Sequence, residues 1–417
     1  MYKKISRCRI CGNKELLPVL DLGTQALTGV FPSSKKEKVP KVPLELVKCT
    51  EDTTEKYCGL LQLRHSSNLS EMYGDNYGYR SGLNASMVSH LKEIVAKIFK
   101  TVDIQENDLV VDIGSNDATT LREFQFHKKL QLVGIDPVGK KFSEFYSDGI
   151  RLIPDFFSVQ AIKNILPDAR AKIITSIAMF YDLEQPLDFI QEIASFLDDE
   201  GVWFFEQSYM PTMLKMNAYD TVCHEHLEYY RLKQVKWMLD RARMKIIDVG
   251  FNDTNGGSFS IMAAKSSSRY KEAKAKINRL LKIEQELKLH TVGPYNSFRN
   301  RVFRHRDELI KLIGKQKKLR KKIYGWGAST KGNVLLQFCG FTENDIPKIG
   351  EVNPYKYARY TPGTNISIVS EADIKAANPD YLLILPWHFK KHFIKQERAY
   401  RQSGGKLIFP LPKVKII

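Results

Sequence analysis

Apolar and polar residues are distributed along the chain in a way that predicts two α/β units. After a helix near residues 85–100, helical stretches separate four apolar segments of strand length. These strands are predicted at 109–114, 132–136, 172–176 and 201–206. Strands that alternate with helices form a parallel, doubly wound sheet. Two further strands, 245–251 and 258–264, flank the turn sequence Asn-Asp-Thr-Asn-Gly-Gly and predict a closing hairpin.

A second alternating unit begins near residue 322. Its strands are predicted at 322–325, 348–352 and 381–385, and a turn at 327–331 leads into a helix. Two helices, 268–289 and 296–319, connect the units, and each has a candidate apolar face. The residues on these faces are Leu280, Ile283 and Leu287 in the first helix, and Val302, Leu309 and Ile313 in the second.

The segment before residue 70 is rich in proline, glycine and lysine and predicts short strands. The fold class is therefore α/β, with a small N-terminal domain and two doubly wound, Rossmann-like domains. The predicted boundaries are 1–70 for the N-terminal domain, 71–265 for the first α/β domain, 266–320 for a helical linker and 321–417 for the C-terminal domain.

Hydrophobic residues make up 43% of the 417 residues, which is enough for ordinary cores in two or three domains. No apolar run reaches the roughly 18 residues of a membrane span, and the first residues lack the apolar core of a signal peptide. We therefore expect a cytoplasmic monomer that has no membrane partner.

The net charge of +17 first suggests a nucleic-acid partner. However, residues 265–322 contain 19 Lys and Arg against 5 Asp and Glu, so most of the excess lies on the two connecting helices. This distribution favours a solvated basic face over a nucleic-acid surface. The alternative is an electrostatic funnel for a diphosphate substrate.

Four of the six cysteines lie within the first 58 residues, at Cys8, Cys11, Cys49 and Cys58. In a reducing compartment, such clustering favours metal over disulfides. Four thiolates form a closed, structural zinc site. Eight residues separate Cys49 from Cys58, so this loop must bulge. Four free thiols are the alternative, but so small a segment needs a stabilising link.

The sequence Asp112-Ile113-Gly114-Ser115-Asn116-Asp117-Ala118 ends one strand and opens a helix. Gly114 allows close approach of a ligand, and Asp136, at the end of the next strand, can accept both ribose hydroxyls of an adenosine. A phosphate cradle would contain more glycines. The turn therefore suits S-adenosylmethionine, whose sulfonium carries no phosphate, better than NAD.

Two imidazoles and two carboxylates lie close together in Cys223-His224-Glu225-His226-Leu227-Glu228. Metal binding is one interpretation, but residues i and i+2 face different sides of a helix. Acid–base chemistry is another, since histidine accepts protons near neutral pH. A polar surface loop is the third.

A second glycine-containing turn, Gly325-Trp326-Gly327-Ala328-Ser329-Thr330-Lys331, follows a predicted strand. Thr330 stands where a dinucleotide fingerprint has its third glycine, so the signal for NAD is weak. The turn can bind an anion through the backbone N–H groups at the start of the helix and the nearby Lys331. A turn that binds nothing is equally compatible.

Taken together, these residues resemble the sugar C-methyltransferases of deoxysugar biosynthesis over essentially the whole chain. That family has a zinc-binding, a methyltransferase and a C-terminal Rossmann-like domain. The matching stretches are Cys8-x-x-Cys11, 77–82, 113–117, His224-Glu225-His226, 255–258, 325–333 and Pro386-Trp387.

The resemblance implies roles for individual residues. His226 corresponds to the general base, and the residues that assist it or bind the sugar are His224, Glu225, Tyr77 and Tyr79. The residues placed around S-adenosylmethionine are Gly114, Ser115, Asn116, Asp117, Asp136, Asp155, Phe156 and Phe157. The residues placed around the nucleotide-sugar are Asn255, Lys331, Asn333 and Trp387.

The implied reaction is transfer of a methyl group from S-adenosylmethionine to a carbon of a nucleotide-diphosphate keto-sugar, through a base-generated enolate. Three features depart from the family pattern: Ala118 stands where glycine is usual, a longer loop splits the second cysteine pair, and Cys223 stands where tyrosine is frequent. A sugar O-methyltransferase, an RNA or DNA methyltransferase and a non-catalytic binding protein are the alternatives. We expect no nucleic-acid partner.

Overall fold

The computed structural model describes residues 2–51, 56–72 and 79–417. Within these residues, sheets of four, seven and six strands organise the chain, and a short pair joins Lys3–Lys4 to His65–Ser66. No helix in this part of the chain is long and apolar enough to cross a membrane. The predicted α/β class is confirmed.

The four-stranded N-terminal sheet is antiparallel. Its strands, in spatial order, are Glu228–Tyr229, Leu61–Leu63, Lys41–Cys49 and Leu16–Ala26. The last two have 9 and 11 residues, so the prediction of short strands is wrong there. Pro18 and Gly23 suggest breaks in the pattern, but the pairing shifts register beside each of them. Such bulges accommodate residues that disturb a regular ladder.

The seven-stranded sheet contains the predicted strands of the first α/β unit and the closing hairpin. Its strands, in spatial order, are Met244–Asn252, Ser258–Lys265, Leu197–Ser208, Ala171–Ile177, Leu109–Ile113, Gln131–Ile135 and Ile150–Ile153. Only Ser258–Lys265 runs antiparallel to its neighbours. The edge strand Ile150–Ile153 was not predicted, because it has four residues, one of them the exposed Arg151.

Helices cover both faces of this sheet, as a doubly wound fold requires. Along Leu109–Ile113, Val110 packs into one core and Val111 into the other. The helices of this region are Leu69–Met72, Ala85–Thr101, Thr119–His127, Val159–Lys163, Pro186–Phe196, Met210–Lys215 and Leu232–Arg241.

The two basic helices span Lys274–Glu286 and Gly293–Lys318. In the second helix, the predicted apolar residues Val302, Leu309 and Ile313 are buried. In the first helix, Leu280 is buried, but Ile283 and Leu287 are exposed, so the predicted face is wrong.

A buried carboxylate explains that difference. Glu284 accepts hydrogen bonds from the Tyr209 hydroxyl at 2.8 Å and from the Leu232 backbone N–H at 2.6 Å. The inward face of the first basic helix therefore includes Ile277, Leu280 and Glu284. An apolar pattern cannot reveal a face that is centred on a glutamate.

The six-stranded C-terminal sheet has the order of a Rossmann-like fold. Its strands, in spatial order, are Ser367–Ser370, Lys348–Glu351, Ile323–Trp326, Tyr381–Ile384, Lys406–Phe409 and Lys415–Ile416. All neighbours are parallel except the last pair. Its helices are Thr330–Cys339, Glu371–Ala376, Lys390–Gln396 and Arg398–Gln402.

The N-terminal sheet packs against both α/β parts. Leu44 and Leu61 share a core with Leu335 of the C-terminal part, and the Gln337 side chain bonds both backbone groups of Ala26. Toward the first α/β part, Gln234 Nε2 donates to the Cys58 carbonyl at 2.7 Å. The N-terminal sheet therefore fixes how the two larger parts face each other.

The four predicted cysteines converge on one point. The Sγ atoms of Cys8, Cys11, Cys49 and Cys58 all lie within 4.8 Å of one another, and two of the pairs are 3.5 Å apart. Zinc bonds of about 2.3 Å place sulfur ligands about 3.8 Å apart in a tetrahedron. Four thiols at this spacing fit zinc, and a closed site of this kind is structural.

Loss of one ligand should release the metal and loosen the N-terminal sheet. The wild type should contain one zinc ion per chain, and Cys49→Ser should contain much less. The variant should also have a lower melting temperature, because structural zinc contributes folding free energy directly. Metal analysis and thermal unfolding test this. The control Cys339→Ser changes a buried thiol outside the cluster and should keep its zinc; equal zinc contents in the two variants would contradict the site.

Candidate active site

A cavity of about 460 Å³ lies where the three sheets meet. The N-terminal part contributes Gly29 and Phe31, the first α/β part contributes the turn after Leu109–Ile113, and the C-terminal part contributes the start of helix Thr330–Cys339. Another groove, of about 490 Å³, contains none of the predicted site residues. The predicted chemistry is therefore concentrated in the cavity shared by the three parts.

The predicted cofactor turn forms one end of the cavity. Gly114 has a φ of +74°, and a Cβ atom there would lie 3.2 Å from Met179. Ser115 lines the cavity and its hydroxyl is 2.7 Å from the Tyr146 hydroxyl. Ala118 has a φ of 58°, which explains why glycine suits this position; the left-handed conformation costs an L-residue roughly 1 kcal/mol.

Asp136 fixes the turn as well as facing the cavity. Its Oδ2 accepts a hydrogen bond from the Asn116 backbone N–H and its Oδ1 from that of Val138, both at 2.8 Å. Burial raises the pKa of Asp136, and these two hydrogen bonds oppose that effect. Each carboxylate oxygen has a further lone pair that can accept a ribose hydroxyl.

Asn116 and Asp117 hold the segment 79–82 over the cavity. Asn116 Oδ1 accepts from the Ser81 N–H at 2.9 Å and Asp117 Oδ2 from the Gly82 N–H at 3.0 Å. Asn116, Tyr79 and Ser81 line the cavity, but Asp117 does not. The predicted role of Asp117 beside the cofactor therefore becomes an indirect one, through the segment that it anchors.

The predicted adenine segment is only partly in place. Phe156 and Phe157 line the cavity, whereas Asp155 does not. Asp155 is exposed, and its Oδ1 accepts from the Phe156 N–H at 2.7 Å. The structure therefore places Asp155 beside the cavity wall, where its carboxylate bonds the local backbone, and not on the wall itself.

His226 lies at the centre of the cavity wall. Its Nδ1 is 2.9 Å from the Thr221 carbonyl oxygen. A carbonyl only accepts, so Nδ1 carries the proton and Nε2 is left as the basic nitrogen. Burial, together with the positive charge of Lys331, lowers the pKa of His226 to about 3.

Glu225 enters the cavity beside the N-terminal part. A Cβ atom on Gly29 would overlap Glu225 Oε1, so only glycine leaves room for this carboxyl. Glu225 Oε2 accepts from the Thr28 hydroxyl at 3.4 Å. Burial raises the pKa of Glu225, which favours its protonated form.

His224 points away from the cavity, contrary to its predicted catalytic role. Its Nε2 is 3.1 Å from the Val42 carbonyl and its Nδ1 is 3.3 Å from the Thr28 hydroxyl. Residues 224 and 225 form a turn, which a hydrogen bond from the His226 N–H to the Cys223 carbonyl closes at 3.1 Å. The two histidines therefore do not share one face of a regular strand, and their side chains point to different places. The arrangement favours a structural role for His224.

Of the three predicted substrate residues whose side chains are described, the C-terminal wall contains one. Lys331 lines the cavity. Asn333 is fully buried and donates to the Thr28 carbonyl at 2.7 Å, and Trp387 Nε1 donates to Asp220 at 2.7 Å. These two residues lie outside the cavity and join the parts of the protein. Tyr77 and the side chain of Asn255 lie outside the described residues.

Several residues that line the cavity were not predicted as site residues from the sequence. The Tyr181 ring centroid is 4.2 Å from that of His226, His388 lies beside Lys331, and Asp112 faces the cofactor turn. Burial raises the pKa of Asp112 to about 7. Tyr181 could have been predicted from the sequence, because it follows the carboxyl end of the strand Ala171–Ile177 and ligands bind at the carboxyl ends of parallel strands.

Three family models match the chain in order: a zinc binding domain over residues 8–73, a methyltransferase domain over residues 83–249 and a C-methyltransferase C-terminal domain over residues 253–412. The C-methyltransferase NovU of Streptomyces niveus is 26% identical over 420 residues, which span all of this chain and 98% of that protein.

Two solved structures show weaker likeness. A complex of the Haloferax volcanii Trm112 methyltransferase activator with a methyltransferase is 14% identical, covers 44% of this chain and 96% of that chain, and has a TM-score of 0.35. An S-adenosylmethionine-dependent methyltransferase from Clostridium acetobutylicum is 10% identical, covers 43% of this chain and 92% of that chain, and has a TM-score of 0.33.

The family models, NovU and the four-cysteine cluster agree with one another over the whole chain. The predicted cofactors, S-adenosylmethionine and structural zinc, are confirmed. The chain is an S-adenosylmethionine-dependent methyltransferase whose methyltransferase domain lies between a zinc-binding domain and a C-methyltransferase C-terminal domain.

Proposed function

We propose that the protein methylates a carbon atom of a nucleotide-linked keto-deoxysugar, with His226 as the general base. The observation that carries this proposal is the hydrogen bond from His226 Nδ1 to the Thr221 carbonyl. It orients a basic Nε2 within a cavity that also contains the cofactor turn at Gly114. A methyl donor and a proton acceptor on one cavity are what carbon methylation beside a ketone requires.

The reaction begins with proton transfer. His226 Nε2 takes the proton from the carbon next to the ketone, and the electron pair of that C–H bond becomes the enolate. Bound S-adenosylmethionine supplies an electrophilic methyl group. The enolate carbon forms the new C–C bond, and the electron pair of the broken S–C bond stays on sulfur. His226 can later return its proton to solvent.

Lys331 links substrate binding to the basicity of His226. The lysine lies in the first turn of helix Thr330–Cys339, where backbone N–H groups and Ser329 also favour an anion. We assign the substrate diphosphate to this region. An anion beside Lys331 would offset the positive charge that lowers the pKa of His226. The base would therefore strengthen when an anionic substrate binds.

A sugar O-methyltransferase is the second candidate, since His226 could equally deprotonate a hydroxyl. The residue Cys223 supports this alternative. Burial raises the pKa of its thiol, and a neutral thiol is a poorer hydrogen-bond donor to a ketone oxygen than the tyrosine that is frequent at this position in the family.

Four expectations stay predictions: the domain boundaries, the cytoplasmic location, the monomeric state and the absence of a nucleic-acid partner.

Asp136→Ala should weaken S-adenosylmethionine binding by roughly 1.5–3 kcal/mol, the range for a lost hydrogen bond to a charged group. Calorimetric titration measures this. The control Asp199→Ala removes a carboxylate that is 89% exposed at the amino end of strand Leu197–Ser208, and should bind the cofactor normally. Equal affinities in all three proteins would contradict the role of Asp136.

His226→Asn should keep S-adenosylmethionine affinity but reduce turnover by roughly 10²–10⁴-fold, the usual contribution of a general base. In deuterated water, the wild type should also wash deuterium into the carbon next to the ketone of a 4-keto sugar nucleotide, and the variant should not. The exposed His127 provides the control His127→Asn. If His226→Asn washes in deuterium at the wild-type rate, His226 is not the general base. If the enzyme methylates a hydroxyl and no variant washes in deuterium, the O-methyltransferase alternative is supported.

The pH dependence should differ between kcat/KM, which reports the free enzyme, and kcat, which reports the substrate complex. His226 acts when neutral, so activity falls as pH drops through its pKa, which is about 3 in the free enzyme. An anion beside Lys331 raises that pKa, so the acid limb of kcat should lie at higher pH than that of kcat/KM. Coincident limbs, or an acid limb of kcat/KM near 6.5, the value of free imidazole, would contradict this coupling.

A further inference from the structure

Arg9 lies between two zinc ligands, Cys8 and Cys11, and its side chain is only 2% exposed. Nη1 donates to the Leu63 carbonyl at 2.6 Å and Nη2 donates to the Ser66 hydroxyl at 2.8 Å. The metal knuckle holds the backbone of this residue, and its guanidinium is held by the end of the inner strand Leu61–Leu63 and by Ser66. The guanidinium is planar, so hydrogen bonds on two of its sides fix its orientation.

The same guanidinium reaches the first α/β part. Its Nε is 3.3 Å from Glu184 Oε2 and 3.7 Å from Glu228 Oε1. Glu184 lines the cavity. Glu228 lies two residues after His226 and is 2% exposed. One side chain therefore joins the metal knuckle both to the wall of the cavity and to the segment that carries the proposed base.

The contacts of Arg9 with Glu184 and Glu228 are electrostatic as well as steric. Burial raises the pKa of Glu228 well above its usual range, and the nearby Glu184 and Asp182 act in the same direction. The positive charge of Arg9 and a backbone hydrogen bond at Leu183 oppose them. A raised pKa favours the neutral form of Glu228, so the ion pair of Arg9 is the one with Glu184. Without Arg9, both contacts that join the metal knuckle to this part of the cavity wall would be lost.

We propose that Arg9 is a positioning residue that fixes the segment 224–229 and the cavity wall at 182–184, so that the zinc knuckle sets the placement of His226. This inference rests on the proposed role of His226. It gives the zinc domain a function in turnover as well as in stability. Arg9 touches no reacting atom; its effect passes through Glu184, Glu228 and the backbone between them.

The test compares Arg9→Gln with Arg64→Gln in the full-length protein. Arg64 directly follows strand Leu61–Leu63 and its side chain is 18% exposed. It makes the same kinds of contact with the N-terminal sheet, an ion pair with Glu45 at 3.1 Å and a hydrogen bond to the Leu16 carbonyl. The measurements are zinc content, amide hydrogen exchange by mass spectrometry, and kcat and KM for deuterium wash-in. Amide exchange needs no substrate, so it tests Arg9 even if the wild type shows no wash-in and the proposed function fails.

The Arg9→Gln variant should keep its zinc. Its backbone amides should exchange faster than those of the wild type in 224–229 and 182–184, but not in 109–113. Its kcat should fall roughly 10–100-fold with little change in KM, since small misplacements of a reacting group have effects of this size. Arg64→Gln should match the wild type. Arg9→Lys, which keeps the charge, should lie between the two if Arg9→Gln folds poorly.

Three results would overturn the inference. The first is unchanged amide exchange in 224–229 together with unchanged kcat. The second is loss of zinc in step with loss of kcat, which would limit Arg9 to supporting the metal. The third is the same losses in Arg64→Gln, which would show a general effect of destabilising the N-terminal sheet.

Discussion

The strand pairing between Glu228–Tyr229 and Leu61–Leu63 fastens the segment that carries His226 to the N-terminal sheet. The Leu63 N–H extends this pairing by donating to the Leu227 carbonyl at 2.8 Å. Residues far apart in sequence thus form one antiparallel ladder, in which successive side chains point to opposite sides. A turn at residues 224–225 precedes this ladder, and across it His224 contacts the N-terminal sheet while His226 lines the cavity.

The cavity depends on all three parts of the chain because each supplies something that the others lack. The first α/β part supplies the turn at Gly114 and the carboxylate of Asp136, and the C-terminal part supplies the positive charge of Lys331. The N-terminal part supplies Gly29, where the absence of a side chain makes room for Glu225. Electrostatic effects on His226 are stronger in such a cavity than in bulk water, because the surrounding protein has a lower effective dielectric constant.

The fold could be predicted from the sequence wherever local patterns decide it. The strands around Gly114 and the closing hairpin follow directly from apolar periodicity and turn residues. The errors arise where tertiary contacts override the pattern. Glu284 rotates the inward face of its helix because its carboxylate caps another helix, and register shifts carry a long strand past Pro18 and Gly23.

The site was predictable to a smaller extent, because a motif names residues without giving their direction. His224, Asn333 and Trp387 all belong to recognisable motifs, yet each side chain contacts another part of the protein and lies outside the cavity. Tyr181 shows the opposite case: it lies against His226 without belonging to any motif that sequence analysis selected.

The tautomer of His226 is the most direct test of the account, because the proposed chemistry depends on a basic Nε2 in the cavity. Nitrogen NMR of histidine-labelled protein can measure it, with the His226 signal identified among the nine histidines by its loss in His226→Asn. At neutral pH, the account predicts a neutral ring with the proton on Nδ1 and an unprotonated Nε2. A proton on Nε2, in either the other neutral tautomer or the imidazolium form, would contradict it.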